Sequence, residues 1–427
     1  MRLDPKIVGA LAADPLLWRQ FCALCDCGGR LAGTDSERRA LDLVKEWGRA
    51  ATGVEVRSIP VSYGGWRARN AGLRFEDGSH APCHPLVRTV PTPPGGLRAE
   101  VIDLGRGTPE EFKAHEREIK GRIALVRHEL MFAAGTIHRR RKYDMARAMG
   151  AAAFLIAGPL PGLPVAGSSG RDGKDGIPAV GVSPETAARL RRRAAGWPTA
   201  TLTVATAEAP GSTETLLFDL PGTTDEYVVL SAHVDGHDLA ESAMDNATGV
   251  AAALAAARAL APLVSSFRRG LRVAFFSVEE WALIGSAQYV EGLPPADRAK
   301  IALNVNLDSV GGNPQLTAMT SGFAGLEPFM LSVAEKNGQA LRTTRPLMAN
   351  SDHANFASAG IPAVRIVAGF DDPASNLRFV LTPADTRDKI AEAELRQAAI
   401  LAAAIAAAAC AAAPEEAKRW RLGTEET

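Results

Sequence analysis

The sequence has no surplus of charge of either sign, because 48 Lys and Arg residues balance 48 Asp and Glu residues. Proteins that hold nucleic acid or an anionic membrane by charge usually carry a basic excess. We therefore expect neither nucleic acid nor a membrane as a partner. The run Arg139-Arg140-Arg141-Lys142 is a local basic cluster, and we expect it to be a solvated helix face.

Cysteine is scarce, with five residues in a chain of 427. Cys22 and Cys25 have the spacing of one half of a zinc knuckle, but no second pair of metal ligands follows them. We therefore expect reduced thiols near an N-terminal helix.

Long apolar runs are also lacking. Asp4, Asp14 and Pro15 interrupt the start of the chain, so no signal peptide is recognised there. We expect a cytoplasmic protein, or a secreted or periplasmic one if a leader has been removed. The Ala-rich run 401–413 is shorter than the roughly 20 residues that a bilayer requires, which predicts a buried helix.

The length of the chain predicts two domains, or one domain with an insertion. Residues 54–61 and 71–75 read as separate strands, and the Pro- and Gly-rich segment 91–96 marks a boundary. After Gly211, strands alternate with helices, the pattern of a parallel sheet covered on both faces. We predict an α/β domain of three layers with a mostly parallel sheet, residues 1–96 and 208–427, and an inserted β-rich domain, residues 97–207.

Acidic residues follow three short apolar strands in the second part of the chain. The strands are expected at 227–232, 271–276 and 302–307, and they are followed by His233 with Asp235, Glu279 with Glu280, and Asp308. The carboxyl ends of parallel strands meet at one edge of a sheet, so we expect these side chains to gather there. Asp245, just before a predicted helix, joins them.

So much negative charge cannot share a dry cleft unless cations neutralise it. Imidazole and carboxylate ligands suit zinc, and one carboxylate can bridge two ions. The adjacent pair Glu279-Glu280 divides into two roles, since one carboxylate binds metal while the other takes a proton from water. The cluster therefore predicts a catalytic zinc site.

Ordered motifs over residues 211–390 resemble those of a known family. They are His233-x-Asp235, Asp245-Asn246-Ala-Thr-Gly249, Glu279-Glu280, Asn306-Leu-Asp308, Ser351-Asp352-His353-x-x-Phe356-x-x-x-Gly360-Ile361-Pro362 and Thr382-Pro-Ala-Asp385-Thr386-x-Asp388-Lys389-Ile390. The chain resembles the co-catalytic zinc aminopeptidases of clan MH, which have a phosphorylase/hydrolase-like fold. Relatives of that family include carboxypeptidase Q, glutamate carboxypeptidase II and the glutaminyl cyclases.

The resemblance implies a role for each residue of the cluster. His233 and Asp308 would hold one zinc, Asp245 would bridge, and Glu280 would hold a second zinc. The two remaining residues would be catalytic, with Glu279 as the general base and Asp235 orienting the metal-binding histidine.

The chain departs from the family at one ligand, because Leu381 stands where the family usually has a histidine, and no His occurs after His353. The sequence therefore leaves open whether one zinc or two are bound. Substitute ligands could come from His237, His353 or Asp385.

Two further positions near these motifs have open roles. Asp352, together with the histidine that follows it, either contacts substrate or forms a turn. Arg365 lies on a predicted strand, where a structural ion pair is the expected role.

The inserted segment resembles a protease-associated (PA) domain. The resemblance is carried by Gly121-Arg-Ile-Ala-Leu-Val126, the run starting at Gly150 and Gly176-Ile-Pro-Ala-Val. It implies a domain that flanks the cleft and restricts access to it.

These observations predict a zinc-dependent exopeptidase, most plausibly an aminopeptidase, that acts on peptides. The alternatives are a metal-binding or scaffold protein without hydrolysis, which the replacement at Leu381 would explain, and acyl transfer of the glutaminyl cyclase type. The sequence leaves the oligomeric state and the choice between aminopeptidase and carboxypeptidase open.

Overall fold

The computed structural model describes residues 1–171, 173–192 and 196–423. Its strands are β1 (Arg57–Phe75), β2 (His80–Ala81), β3 (Cys83–Pro85), β4 (Leu97–Asp103), β5 (Ile123–Arg127), β6 (Ala153–Ala157), β7 (Ala179–Val182), β8 (Thr199–Leu220), β9 (Tyr227–His233), β10 (Gly270–Phe276), β11 (Ile301–Leu307), β12 (Leu316–Met319), β13 (Leu341–Thr344) and β14 (Ala363–Ala368).

Its α-helices are α1 (Pro5–Ala12), α2 (Pro15–Asp26), α3 (Asp35–Thr52), α4 (Pro109–Ala114), α5 (Glu116–Ile119), α6 (Arg139–Ala148), α7 (Pro184–Leu190), α8 (Thr248–Val264), α9 (Ile284–Gly292), α10 (Pro295–Ala299), α11 (Leu326–Lys336), α12 (His353–Ser358), α13 (Glu392–Ala411) and α14 (Pro414–Arg419). Short helical turns lie at Ala243–Ala247, Asn376–Phe379 and Arg387–Lys389.

A continuous path of paired strands runs through the molecule in the order β13-β12-β14-β11-β9-β10-β8-β4-β5-β6-β7-β3. At its centre β10, β9, β11 and β14 are parallel neighbours, whereas β8 joins β10 in the antiparallel direction. The prediction of an α/β fold with a mostly parallel sheet is confirmed.

Helices cover both faces of this central sheet. Alternate residues of β9 point to opposite sides, so that Leu230 packs in the cluster of α8 and α13 while Val229 packs against Tyr289 of α9 and Phe356 of α12. Helices α2 and α3 pack against α8 on the first side. Apolar side chains on both sides of a buried parallel sheet give the three predicted layers.

A long two-stranded ribbon joins the central sheet to the inserted part. Strand β1 pairs with β8 in the antiparallel direction, from Arg57 opposite Leu217 to Phe75 opposite Ala200. One end of β8 pairs with β10 and the other with β4. The prediction of separate strands at 54–61 and 71–75 was therefore wrong. The domain boundaries at 97 and 207 remain a prediction, since β8 crosses the second of them.

Two helical stretches, Ala243–Val264 and Glu392–Ala411, are long and apolar enough to cross a membrane, and 72% and 78% of their most apolar windows are buried inside the protein. The bent pair α1 and α2 would count as a third if it were one span. The expectation that the Ala-rich run is too short to cross a bilayer was wrong, because the run belongs to the 20-residue helix α13. Its predicted burial is confirmed.

Candidate metal centre

Three neighbouring parallel strands bring the predicted acidic residues to one edge of the sheet. His233 is the last residue of β9, and Asp308 directly follows β11. His233 Nε2 lies 3.1 Å from Asp245 Oδ1 and 3.8 Å from Asp308 Oδ2. Ligand atoms of these three residues all lie within 4.8 Å of one another, and the same is true of His233 with Glu279 and Glu280.

The turn before α8 places Asp245. Asp385 accepts hydrogen bonds from the backbone N–H groups of Met244 and Asp245 at 2.8 and 3.4 Å. The next side chain, Asn246, donates to the Leu307 carbonyl and accepts from Ser309 N–H. The carboxylate of Asp385 therefore holds the turn that carries the candidate ligand Asp245 through hydrogen bonds to its backbone.

Asp235 contacts both the candidate histidine ligand and the glutamate pair. The Nδ1 atom of His233 lies 3.0 Å from the backbone oxygen of Asp235 and 3.7 Å from its carboxylate. That carboxylate accepts from the backbone N–H groups of Glu279 and Glu280 at 3.1 and 3.2 Å. Val278, just before the pair, has φ +60°, a conformation that β-branched residues rarely adopt. Asp235 therefore fixes both the histidine ring and the glutamate pair.

His237 is the predicted substitute ligand that lies closest to the Glu280 side. Its Nε2 atom is 2.6 Å from Glu280 Oε2, and both side chains are buried. Leu381, which by the family resemblance is expected to stand in place of a histidine, lines the same cavity as Glu280. The imidazole of His237 thus lies beside Glu280, on the side of the cluster where a leucine at position 381 would leave a metal ion without one ligand.

The loop that carries His237 is held by Arg30, a residue that sequence reasoning missed. The Arg30 side chain is 1% exposed and donates to five backbone carbonyls, those of Leu24, Gly28, Val234, Glu241 and Ser242. Gly29 packs so closely on this loop that a Cβ there would lie 1.7 Å from the His237 oxygen. The dipeptide Gly28-Gly29 was the one sequence sign of such a close approach.

Asp352 and His353 are buried next to the cluster, but neither belongs to the two ligand groups found among the described residues. Ser286 donates a 2.5 Å hydrogen bond to Asp352. Burial raises the pKa of Asp352 to about 7 and lowers that of His353 to about 3. A metal-binding role for His353 or Asp385 stays a prediction, because neither side chain belongs to a ligand group among the described residues.

Arg365 forms the expected ion pair. Its Nη2 atom lies 3.1 Å from Asp308 Oδ2, and its Nη1 atom donates to Asn350 Oδ1 at 2.8 Å. Burial alone would raise the pKa of Asp308, but Arg365 and His233 hold it below its usual value. Asp308 therefore stays ionised inside the protein.

The other charges of the cluster are strongly coupled. Burial alone would lower the pKa of His233, yet the surrounding carboxylates, Glu279 foremost, raise it well above its ordinary value. Burial and neighbouring negative charge raise the pKa of Glu279 and of Glu280. These shifts are those of acids crowded without a compensating cation, and a bound metal ion would reverse them.

Unsatisfied atoms test whether a metal ion fits this site. The buried atoms His233 Nε2, Asp245 Oδ1, Glu280 Oε1 and His237 Nε2 have no hydrogen-bond partner among the residues that the structure describes. The short contacts given above therefore lack the orientation of hydrogen bonds. Imidazole nitrogen and carboxylate oxygen are the donors that zinc takes, so the site fits that ion.

Residues of the inserted part lie over the acidic cluster. A cavity of about 40 Å³ is lined by Asp245, Glu279, Glu280, Asp308 and Leu381 on one side and by Met131, Phe132, His138, Arg139 and Arg140 on the other. The prediction of a solvated basic face was wrong for two of the four residues, because Arg139 is 6% exposed and Lys142 is fully buried, whereas Arg141 is exposed and Arg140 half-buried. Lys142 pairs with Glu129 at 2.6 Å.

Comparison with known families agrees with this arrangement. Residues 215–406 match peptidase family M28, and residues 84–190 match the PA domain. The fold, the acidic cluster and these matches define a metallopeptidase, a hydrolase of peptide bonds. Residues 215–406 are a domain of peptidase family M28, and the chain carries an inserted PA domain.

Individual relatives extend over most of the chain. Aminopeptidase YwaD of Bacillus subtilis is 26% identical over 88% of this chain and 80% of its own length. The probable lipoprotein aminopeptidase LpqL of Mycobacterium tuberculosis is 26% identical over 82% of this chain and 72% of its own.

Solved structures share the fold. BSAP, a zinc aminopeptidase from Bacillus subtilis, aligns with a TM-score of 0.73 at 24% identity, over 91% of this chain and 93% of its own. A peptidase M28 precursor from Shewanella amazonensis aligns with a TM-score of 0.78 at 21% identity, over 95% and 96% of the two chains.

Proposed function

We propose that this metallopeptidase is a zinc-dependent aminopeptidase with Glu279 as its general base. The observation that carries the proposal is the position of Glu279, a buried carboxylate within 4.8 Å of His233 and beside the candidate ligand Glu280. Aminopeptidase activity is named for the relatives YwaD and LpqL, which supports the same activity here.

The proposed ligands fall into two sets that share Asp245. His233, Asp245 and Asp308 would hold one zinc ion, and Asp245, Glu280 and His237 would hold a second one. When bound, zinc polarises the scissile carbonyl and makes water a better nucleophile. Leu381 cannot bind a metal, so we propose that His237 supplies the ligand that the family resemblance would assign to a histidine at this position.

Glu279 would do the proton transfer. Its carboxylate would take a proton from the attacking water and pass it to the nitrogen of the leaving amine. Asp235 supports this role by holding the Glu279 N–H, so that the carboxylate keeps its place beside the cavity. The remaining acidic residues would attract the free α-ammonium of a peptide.

Turnover of a leucyl peptide and of its N-acetylated twin tests amine recognition. We expect the zinc-loaded protein to hydrolyse the free-amine peptide at least about 100-fold faster, because a fully desolvated charge partner is worth a few kcal/mol. Equal rates would reject amine recognition, and cleavage from the carboxyl end would replace the proposal with a carboxypeptidase.

Zinc content measured by mass spectrometry tests the second ligand set. We expect two zinc ions per chain, one in the variant His237→Ala, and two again in His237→Ala with Leu381→His. Two ions in His237→Ala alone would remove His237 from the site. No bound zinc after zinc is supplied would favour the alternative of an inert scaffold, since the loss of the family's histidine at Leu381 points in that direction.

A further inference from the structure

Two arginines of the PA domain face the acidic cluster. Arg139 and Arg140 begin helix α6 and line the cavity that also contains Asp245, Glu279 and Glu280. The proposed hydrolysis gives these two side chains no role. Arg139 is also one of the two residues whose burial contradicts the expectation of a solvated helix face.

The surrounding chain is shaped to hold this pair. A Cβ at Gly167 would lie 2.2 Å from Arg139 Cζ, and a Cβ at Gly170 would lie 2.8 Å from Arg140 Cγ. Arg139 Nε donates to the Ser168 carbonyl at 2.6 Å. The loop of small residues therefore wraps the start of α6 and fixes where the guanidinium groups can lie.

Arg140 is half-buried, and its side chain makes no hydrogen bond or ion pair with the residues that the structure describes. Its Nε atom is buried without a hydrogen-bond partner, and no ion pair to its guanidinium occurs among the residues that the structure describes. In contrast, Arg365 pairs with Asp308, Lys142 with Glu129, and Arg171 with Glu208. The negative charges that act on Arg140 are those of Glu279 and Glu280, which line the opposite side of the cavity, and of Asp144. A buried donor without an acceptor is unfavourable, so Arg140 can take an anion that enters between the two walls.

We propose that Arg140, supported by Arg139, binds the C-terminal carboxylate of the substrate, so that the enzyme acts on dipeptides and tripeptides. The proposal rests on the proposed aminopeptidase function and adds its substrate class. One wall of the cavity is acidic and the other carries two guanidinium groups. A short peptide has the matching charges, an ammonium at one end and a carboxylate at the other.

The charges of the two cavity walls support a short substrate. A guanidinium matches a carboxylate with two parallel hydrogen bonds. The terminal carboxylate is the anion that every short peptide offers to the basic wall while its ammonium faces the acidic wall.

The test compares Leu-Leu with Leu-Leu-amide, which share the free amine and the scissile bond but differ in terminal charge. We expect the zinc-loaded wild type to have a kcat/KM at least about 10-fold higher for Leu-Leu, mainly through KM. Arg140→Ala should bring the ratio of the two substrates to about one, and Arg140→Lys should keep part of it. The control Arg141→Ala, on an exposed neighbour of the same helix, should keep the wild-type ratio.

The outcomes separate this proposal from the proposed function. Equal kcat/KM values for the two substrates in the wild type, or an unchanged ratio in Arg140→Ala, would overturn carboxylate binding and leave the aminopeptidase intact. If neither substrate is hydrolysed, the proposed function fails. Carboxylate binding by Arg140 is then tested without turnover, by calorimetric titration of zinc-loaded Glu279→Gln with each peptide. Tighter binding of Leu-Leu than of Leu-Leu-amide would support carboxylate binding, and equal binding would reject it.

Discussion

At the residue scale, the adjacent pair Glu279 and Glu280 carries the chemistry, and the two carboxylates are expected to be separable. In Glu279→Gln we expect kcat to fall by about 10²–10⁴-fold, the usual contribution of a general acid–base group, while zinc content stays that of the wild type. Rates and metal analysis on the same samples check this. Glu291→Gln, on an exposed glutamate that follows on α9, is the matched control, and wild-type turnover in Glu279→Gln would remove the proposed base.

A second buried acid, Glu37, predicts a pH dependence of stability. It accepts from Gly33 N–H and from the Thr213 hydroxyl, and burial, with the charge of Asp235, raises the pKa of Glu37 to about 7 from 4.5. Because the pKa is higher in the folded state, the stability it contributes is complete below pH 4.5 and is lost as pH rises through 7.

Glu37→Gln mimics the protonated acid, so its stability relative to the wild type should increase as pH rises. We expect its free energy of unfolding, relative to the wild type, to increase by ~1–3 kcal/mol between pH 5 and pH 8. Urea unfolding at the two pH values measures this. Glu46→Gln, on the exposed side of the same helix, should show no such change, and a flat difference for Glu37→Gln would contradict the assigned pKa.

Single residues also show what the sequence reveals and what it hides. The order of His233, Asp245, Glu279, Glu280 and Asp308 was readable because each follows a strand or precedes a helix, and strand ends converge in a parallel sheet. Three of the five carbonyl bonds of the Arg30 side chain come from residues 234–242, and the burial of Arg139 and Lys142 likewise depends on segments elsewhere in the chain. Charged side chains are normally exposed to solvent, so the local sequence predicts exposure, and burial of such a side chain follows only from tertiary contacts.

At the element scale, helix α3 lies close to the sheet because it has a glycine at the contact. A Cβ at Gly48 would lie 2.1 Å from the Phe218 ring. Gly48→Ala should therefore destabilise the protein by about 1–3 kcal/mol through overpacking, although alanine favours helices. Gly9→Ala is the matched control, because Gly9 lies exposed in α1 with nothing within 4 Å of its Cβ.

For Gly9→Ala we expect unchanged or slightly increased stability, up to ~1 kcal/mol. Denaturant unfolding of both variants separates propensity from packing. Similar stability changes in the two variants would show that α3 does not depend on this contact.

The ribbon of β1 and β8 was the element that local pattern could not predict. Gly64-Gly65 in the middle of β1 reads as a turn between two strands. In the structure Gly65 lies opposite Ala209, and a Cβ there would approach the Ala209 oxygen to 2.7 Å. The glycine allows the two strands to lie close together. This contact depends on the partner strand, so it cannot be predicted from the β1 segment alone.

At the scale of the whole molecule, the acidic cluster links metal binding to stability. The cluster joins several central elements, because His233 ends β9, Asp245 precedes α8, and the remaining acids follow β10 and β11. Repulsion among these charges therefore acts on the centre of the fold. A ligand that binds only the folded state at about 100 times its Kd stabilises it by ~2.7 kcal/mol. Chelation should therefore lower the Tm by several degrees, on the order of 5 °C.

Calorimetry of the zinc-loaded and the chelated protein measures this shift, and re-addition of zinc should restore the higher Tm. His233→Ala removes a proposed ligand of the first zinc, so chelation should change its Tm much less than it changes that of the wild type. An identical Tm with and without zinc in the wild type would mean that the carboxylates are tolerated by protonation instead. The raised pKa values of Glu279 and Glu280 would then describe the working state of the protein, and the zinc site would lose its physical basis.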